Sequence, residues 1–130
     1  MKIKEDYIDK LKQYLKDLNY EGTVKEIKLL REHVNENTED IQSRMILRDK
    51  EFDIRIANNL CRFLSDKELS VISYKYFKLL NGKHYKVSEI GDILGYSRSN
   101  LHRIEQKALE QLAYLKYGED AVKEQSILFL

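Results

Sequence analysis

Val87–Gln106 reads Val-Ser-Glu-Ile-Gly-Asp-Ile-Leu-Gly-Tyr-Ser-Arg-Ser-Asn-Leu-His-Arg-Ile-Glu-Gln, and the rest of the 130-residue chain is organised around it. Val87, Ile90 and Leu94 recur at helical spacing and form one short apolar stripe. Leu101, Ile104 and Ala108 form a second, continued by Leu109 and Leu112. Gly95 lies between them and can take the left-handed backbone that ends a helix without a Cβ penalty. Tyr96 is expected to plug the angle between the helices. Ser97 is expected to cap the second one by accepting a backbone N–H of its first turn. Gly91, one turn before Gly95, suits a place where two helices cross too closely for a side chain. Two helices joined by such a corner make a helix-turn-helix.

Working outward, the second helix is expected to span Ser97–Tyr117 and to turn Arg98, Ser99, His102, Arg103 and Gln106 toward solvent. Arginine pairs with guanine edges, glutamine and asparagine with adenine edges, and serine with bases or phosphates. The N-terminus of a helix also attracts phosphate. Arg98, Ser99 and Arg103 are the expected base-reading residues, His102 and Gln106 stand beside them, and Ser97 starts the turn that presents them. Lys86 and Lys107 are expected to touch phosphate, which positions a protein without reading sequence. The competing reading makes Arg98 and Arg103 ordinary solvated helix surface, paired with Glu105 or Glu110.

Composition narrows the alternatives. The chain carries 23 Lys and Arg against 22 Asp and Glu, a formal net charge of +1, so DNA affinity cannot come from overall charge and points to a homodimer or a larger partner such as RNA polymerase. Cys61 is the single cysteine, which excludes a disulfide framework within the chain. The N-terminus lacks the apolar core of a signal peptide, and a cytoplasmic location is the expectation. His33, His84 and His102 have no partners at metal-ligand spacing, and no glycine-rich phosphate loop is present, so neither catalysis nor a cofactor is expected. Cys61 falls on an apolar helix face, where a buried structural thiol is expected rather than a nucleophile.

The other segments read as helices too, and the fold class is all-α. Ile3–Leu18 carries an apolar stripe of Tyr7, Leu11, Tyr14, Leu15 and Leu18. Thr23 with Glu26 forms a capping-box pattern and predicts the start of a second helix, with Val24, Ile27, Leu30 and Val34 inward. Thr38 is expected to cap a long third helix running to about Leu64, with a bend or a register change near Arg48 and Asp49. Its stripe of Ile41, Met45, Phe52, Ile56, Leu60 and Phe63 fits either a bundle core or a dimer seam. Ser65 and Glu68 form another capping box, opening a fourth helix from Asp66 to about Leu80 with Leu69, Ile72, Tyr76, Phe77 and Leu80 inward. Asn81-Gly82 is the clearest turn signal. Ser88 is expected at or near the cap of the next helix. No strand is expected. The apolar ending Ile127-Leu128-Phe129-Leu130 is expected to seek cover in the chain's own core or on a second subunit. These features divide the chain into a helical oligomerisation or partner-binding segment at 1–64, a helix-turn-helix domain at 65–118 and a tail at 119–130.

The residues Leu69…Ile72…Tyr76-Phe77, Ser88-Glu89-Ile90-Gly91, Leu94-Gly95-Tyr96-Ser97 and Ile104-Glu105-Gln106-Lys107-Ala108-Leu109 resemble region 4 of sigma-70-type factors. Short phage late-gene regulators of the ArpU and RinA type look similar. The resemblance covers about the C-terminal half and implies promoter binding beside RNA polymerase, with DNA contacts at Ser97, Arg98, Ser99, His102 and Arg103. Ser99 stands where sigma region 4 usually carries an acidic residue, so a different target sequence is expected. A full sigma factor is not expected from a chain this short. Two rivals share the pattern: a small terminase-like DNA-packaging protein, and an anti-sigma or polymerase-interaction module without DNA binding.

Overall fold

A computed structural model describes residues 2–124, and the apolar ending at 127–130 lies outside them. The chain folds as α1 (Glu5–Leu18), α2 (Tyr20–Glu36), α3 (Ile41–Cys61), α4 (Asp66–Ile72), α5 (Val87–Leu94) and α6 (Arg98–Tyr117). One turn of π-helix, Ser73–Phe77, extends α4, and a two-residue hairpin, β1 (Leu79–Leu80) and β2 (Lys83–His84), precedes α5. The class is all-α, as the periodicities require, and among the described residues no helix is long and apolar enough to cross a membrane.

Two apolar clusters share α6. The larger takes Ile8, Leu11 and Leu15 from α1, Ile72, Tyr76 and Phe77 from the α4 region, and Ala108, Leu109, Leu112 and Ala113 from α6. The smaller takes Val71, Ile90, Leu101 and Ile104, with Tyr85, Leu94 and Tyr96 packed on it. A backbone bridge between Ile3 and Val122 ties the two ends of the described chain together over the larger cluster. Ile3 therefore serves as an extended bridge residue, where the stripe suggested the first turn of a helix.

The second and third helices start elsewhere than their capping patterns suggested. α2 begins at Tyr20, because Asn19 takes the left-handed conformation (φ 44°) and turns the chain in one step. Thr23 then lies inside α2, where its hydroxyl donates back to the Leu18 carbonyl at 2.6 Å. α3 is capped by Asp40 rather than Thr38, through a bond from the Ser43 N–H at 3.0 Å, and runs unbroken past Arg48 and Asp49. It pairs with α2 as an antiparallel hairpin, tied by Tyr20–Asn58, Arg31–Glu51 and Lys50–Glu26. Leu47, Ile54, Ala57 and Cys61 form its sheltered side. Ile41, Met45, Phe52 and Phe63 are not core: they are exposed, as are Val24 on α2, Leu69 and Leu80.

The predicted fourth helix stops early. After Ile72 the backbone widens into the π-turn, and Asn81 (φ 53°) with Gly82 (φ 80°) then closes a hairpin of the kind in which both central residues need positive φ. The turn signal was correct, but two strand residues on each side of it displace the end of the helix.

Two buried glutamates pin α6 in place. Glu68 accepts the Ser65 N–H at 2.9 Å, completing the capping box, and also the Gln111 side chain at 2.8 Å. Glu105 accepts the Tyr76 hydroxyl at 2.7 Å and the Lys75 ammonium at 2.7 Å. Burial first, and then the bond to Glu105, push the Tyr76 phenol far above its ordinary value. Tyr76→Phe removes one donor from a buried carboxylate. It is expected to lower stability by about 1–3 kcal/mol in urea denaturation, without loss of helix content.

At the far end of the hairpin, bonds from His33 and then from the Ser43 N–H and hydroxyl hold the Asp40 carboxyl down, to about 2 from 3.8. A lowered folded-state value stabilises above 3.8 and loses that contribution as pH falls through about 2. A carbon-detected titration of Asp40 is expected to show its midpoint near 2, with Ser43 amide exchange quickening over the same range.

Candidate nucleic-acid interface

The corner between α5 and α6 is built from three backbone events. Gly95 sits at φ 74°, in the left-handed region. Its N–H and that of Tyr96 both reach the Gly91 carbonyl, at 2.8 and 3.0 Å, closing the helix through a left-handed glycine. The chain then extends through Ser97, whose hydroxyl accepts the Asn100 N–H at 3.2 Å and starts α6. The Glu89 carboxylate accepts the Lys86 N–H at 2.9 Å, so Lys86 rather than Ser88 stands at the start of α5.

Gly91 is required for a more specific reason than helix crossing alone. A Cβ there would come within 2.9 Å of the Tyr96 carbonyl oxygen and 3.5 Å of Leu101 Cδ1. The obstruction is mainly the turn itself, with α6 behind it.

The two faces of α6 divide cleanly at this end. Leu101, Ile104, Glu105, Ala108, Leu109, Leu112 and Ala113 are buried. Arg98, Ser99, His102, Arg103 and Lys107 are exposed on the other side, and Ser97 and Lys86 are exposed beside them. The structure therefore gathers most of the predicted residues onto one surface at the start of α6. Gln106 differs: it is half-buried, and its amide donates to Glu110 at 3.3 Å. Arg103 is steadied within the face by a 2.7 Å bond to the Asn100 side chain. Ser65, Lys67, Asn100, Arg103 and Lys107 line a shallow notch along one edge, and Arg98 and His102 border a second depression beside Val87 and Lys75.

Glu105 decides the electrostatics of this surface. It is not a surface partner for Arg98 or Arg103; it turns inward, 6% exposed, and is neutralised by Lys75. The first two turns of α6 therefore show Arg98, His102 and Arg103 to solvent, while the carboxylates that line the neighbouring depressions, Glu105 and Glu68, are buried and hydrogen-bonded to other groups. Sequence reasoning missed this role, because a glutamate followed directly by Gln106 and Lys107 looks like surface. The available signal was its register: Glu105 follows Leu101 and Ile104 and precedes Ala108 on the apolar stripe.

A large concavity lies away from this surface. It is an apolar groove between the α2–α3 hairpin and the α4 region, lined by Tyr20, Val24, Cys61, Leu69, Phe77 and Tyr85. Burial pushes the Cys61 thiol there up to about 11, which keeps it protonated and unreactive. Among the described residues no group of His, Cys, Asp and Glu could hold a metal ion.

Searches of curated proteins and of solved structures found no match to the chain. Residues 63–113, from Phe63 through the corner at Gly95 to Ala113, match the family model described as Sigma-70, region 4, and this segment of the chain is similar to the helix-turn-helix domain of that family.

Proposed function

We propose that the protein is a sequence-specific DNA-binding transcriptional regulator that lays the start of α6 in the major groove. One observation carries this reading. The corner at Gly95 presents Arg98, Ser99, His102 and Arg103 on an exposed face whose neighbouring glutamate is buried and neutralised. In this arrangement Arg98, Ser99 and Arg103 read base edges. Ser97 and the first N–H groups of α6 face the phosphate backbone, and Lys86 and Lys107 add charge at its margins. Gln106 reaches a base only by releasing Glu110, so its contribution is secondary.

The match to sigma region 4 supports action at promoters beside RNA polymerase. The surface offered to polymerase in this reading is the outer side of α4, where Leu69 stays 38% exposed at the rim of the apolar groove. The role proposed is activation of phage or mobile-element genes, after the manner of the ArpU and RinA regulators. The chain's near-neutral charge fits a factor that depends on a larger complex for part of its affinity.

The test is selection of bound fragments from the source genome at fixed salt, followed by gel shifts on the selected site. Arg98→Ala with Arg103→Ala is expected to remove preference for that site, since each good arginine–guanine pair contributes about 1–3 kcal/mol of discrimination. Lys107→Ala is expected to weaken binding to all sequences alike and to lower the salt slope by about 1. Unchanged site preference in the double variant would show that α6 is not the reading helix.

A further inference from the structure

The outer face of α3 has a use that the DNA-binding surface does not explain. Ile41, Met45 and Phe52 lie along one line of this 21-residue helix, opposite the side that packs on α2, and are 66%, 61% and 55% exposed. A run of large apolar side chains left in water on one helix face marks an interaction surface. The charges beside it follow a pattern. Arg44 and Arg48 flank the line on one side, and Asp49 and Asp53 flank it on the other, as the 3.6-residue period dictates. Among the described residues these four take part in no salt bridge, whereas Lys50 and Glu51, on the side toward α2, are both paired within the hairpin.

We propose that α3 pairs in parallel with α3 of a second copy of this chain, with Ile41, Met45 and Phe52 on the seam. Parallel helices bring the left flank of one against the right flank of the other, so basic meets acidic. Asp49 follows Arg44 by five positions, the offset at which flanking positions of parallel helices meet. Arg44 of each copy thus faces Asp49 of the other, and the symmetry repeats the pair. An antiparallel pairing would instead set arginines against arginines and aspartates against aspartates, so the charges choose the orientation. The pairing is isologous, as a two-fold homodimer requires. It also has a consequence for the rest of the chain. α3 leads through Arg62–Ser65 directly into α4, so a parallel seam places both helix-turn-helix units at the same end of the dimer.

This inference does not rest on DNA binding and is tested without DNA. Sedimentation equilibrium of the full chain is expected to show a dimer at tens of micromolar. Met45→Glu and Phe52→Glu are each expected to raise the dimer dissociation constant by about ten-fold or more, with the helix content seen by circular dichroism unchanged because both positions are exposed in the monomer, and with a melting temperature that no longer rises with protein concentration. Arg44→Asp is expected to weaken the dimer, and Arg44→Asp combined with Asp49→Arg to restore it. For orientation, Met45→Cys is expected to form a 45–45 disulfide between copies under mild oxidation, since only a parallel seam brings that position against itself. A monomer at these concentrations, a dimer indifferent to Met45→Glu and Phe52→Glu, or a dimer that forms no 45–45 link would each overturn the proposal.

Discussion

α6 must bury one face along its whole length while leaving the other in water, and the remaining architecture follows from how that face is covered. Leu101 and Ile104 take up the small cluster with Val71 and Ile90, while Ala108, Leu109, Leu112 and Ala113 take up the larger one with α1 and the α4 region. A helix held along both clusters cannot rotate about its axis without exposing one of them. The exposed face at its N-terminal end is therefore fixed in angle, which a surface that reads a DNA groove requires. The two glutamate networks sharpen the constraint. Gln111 is bonded to Glu68 from α4, and Glu105 to Tyr76 and Lys75, so α6 is anchored by polar bonds as well as by packing. Buried carboxylates are costly unless every lone pair finds a donor, and here they are positioned where a slip of one residue would strand them.

The corner at Gly95 was legible because it rests on backbone chemistry that only a few residue types permit. A glycine after an apolar stripe, an aromatic plug and a serine cap leave little freedom, and the observed φ of 74° with the Ser97 cap is what those residues dictate. The same holds for Ser65 with Glu68 and for Asn81-Gly82. The reading failed where a pattern was compatible with more than one tertiary setting. Thr23 with Glu26 has the form of a capping box, but Asn19 had already turned the chain, so the helix began earlier and the threonine hydroxyl found the Leu18 carbonyl instead. Ile41, Met45 and Phe52 have core spacing, yet α2 covers the opposite side of α3. Periodicity reveals that a helix has an apolar face; it does not reveal whether that face meets the same chain.

Candidate site residues were legible to the extent that they follow from the register of α6. Once Leu101, Ile104 and Ala108 face inward, Ser99, His102 and Arg103 must face outward, and they do; Arg98, one turn before Leu101, is exposed as the first residue of α6. What the register could not supply was the fate of polar residues on the boundary. Glu105 turns inward to a tyrosine and a lysine brought by the π-turn, a local widening of the helix that no sequence pattern announced. Its inward turn onto Lys75 and Tyr76 is also what keeps it from pairing with the arginine face.

The central claim is that this arginine face meets DNA, and chemical-shift mapping of the isotope-labelled chain against a selected duplex tests it most directly. The account predicts that amide signals from Ser97 to Lys107 move most, with smaller changes at Lys86 and none along α1. Perturbations confined to other surfaces, with the start of α6 silent under saturating duplex, would contradict it.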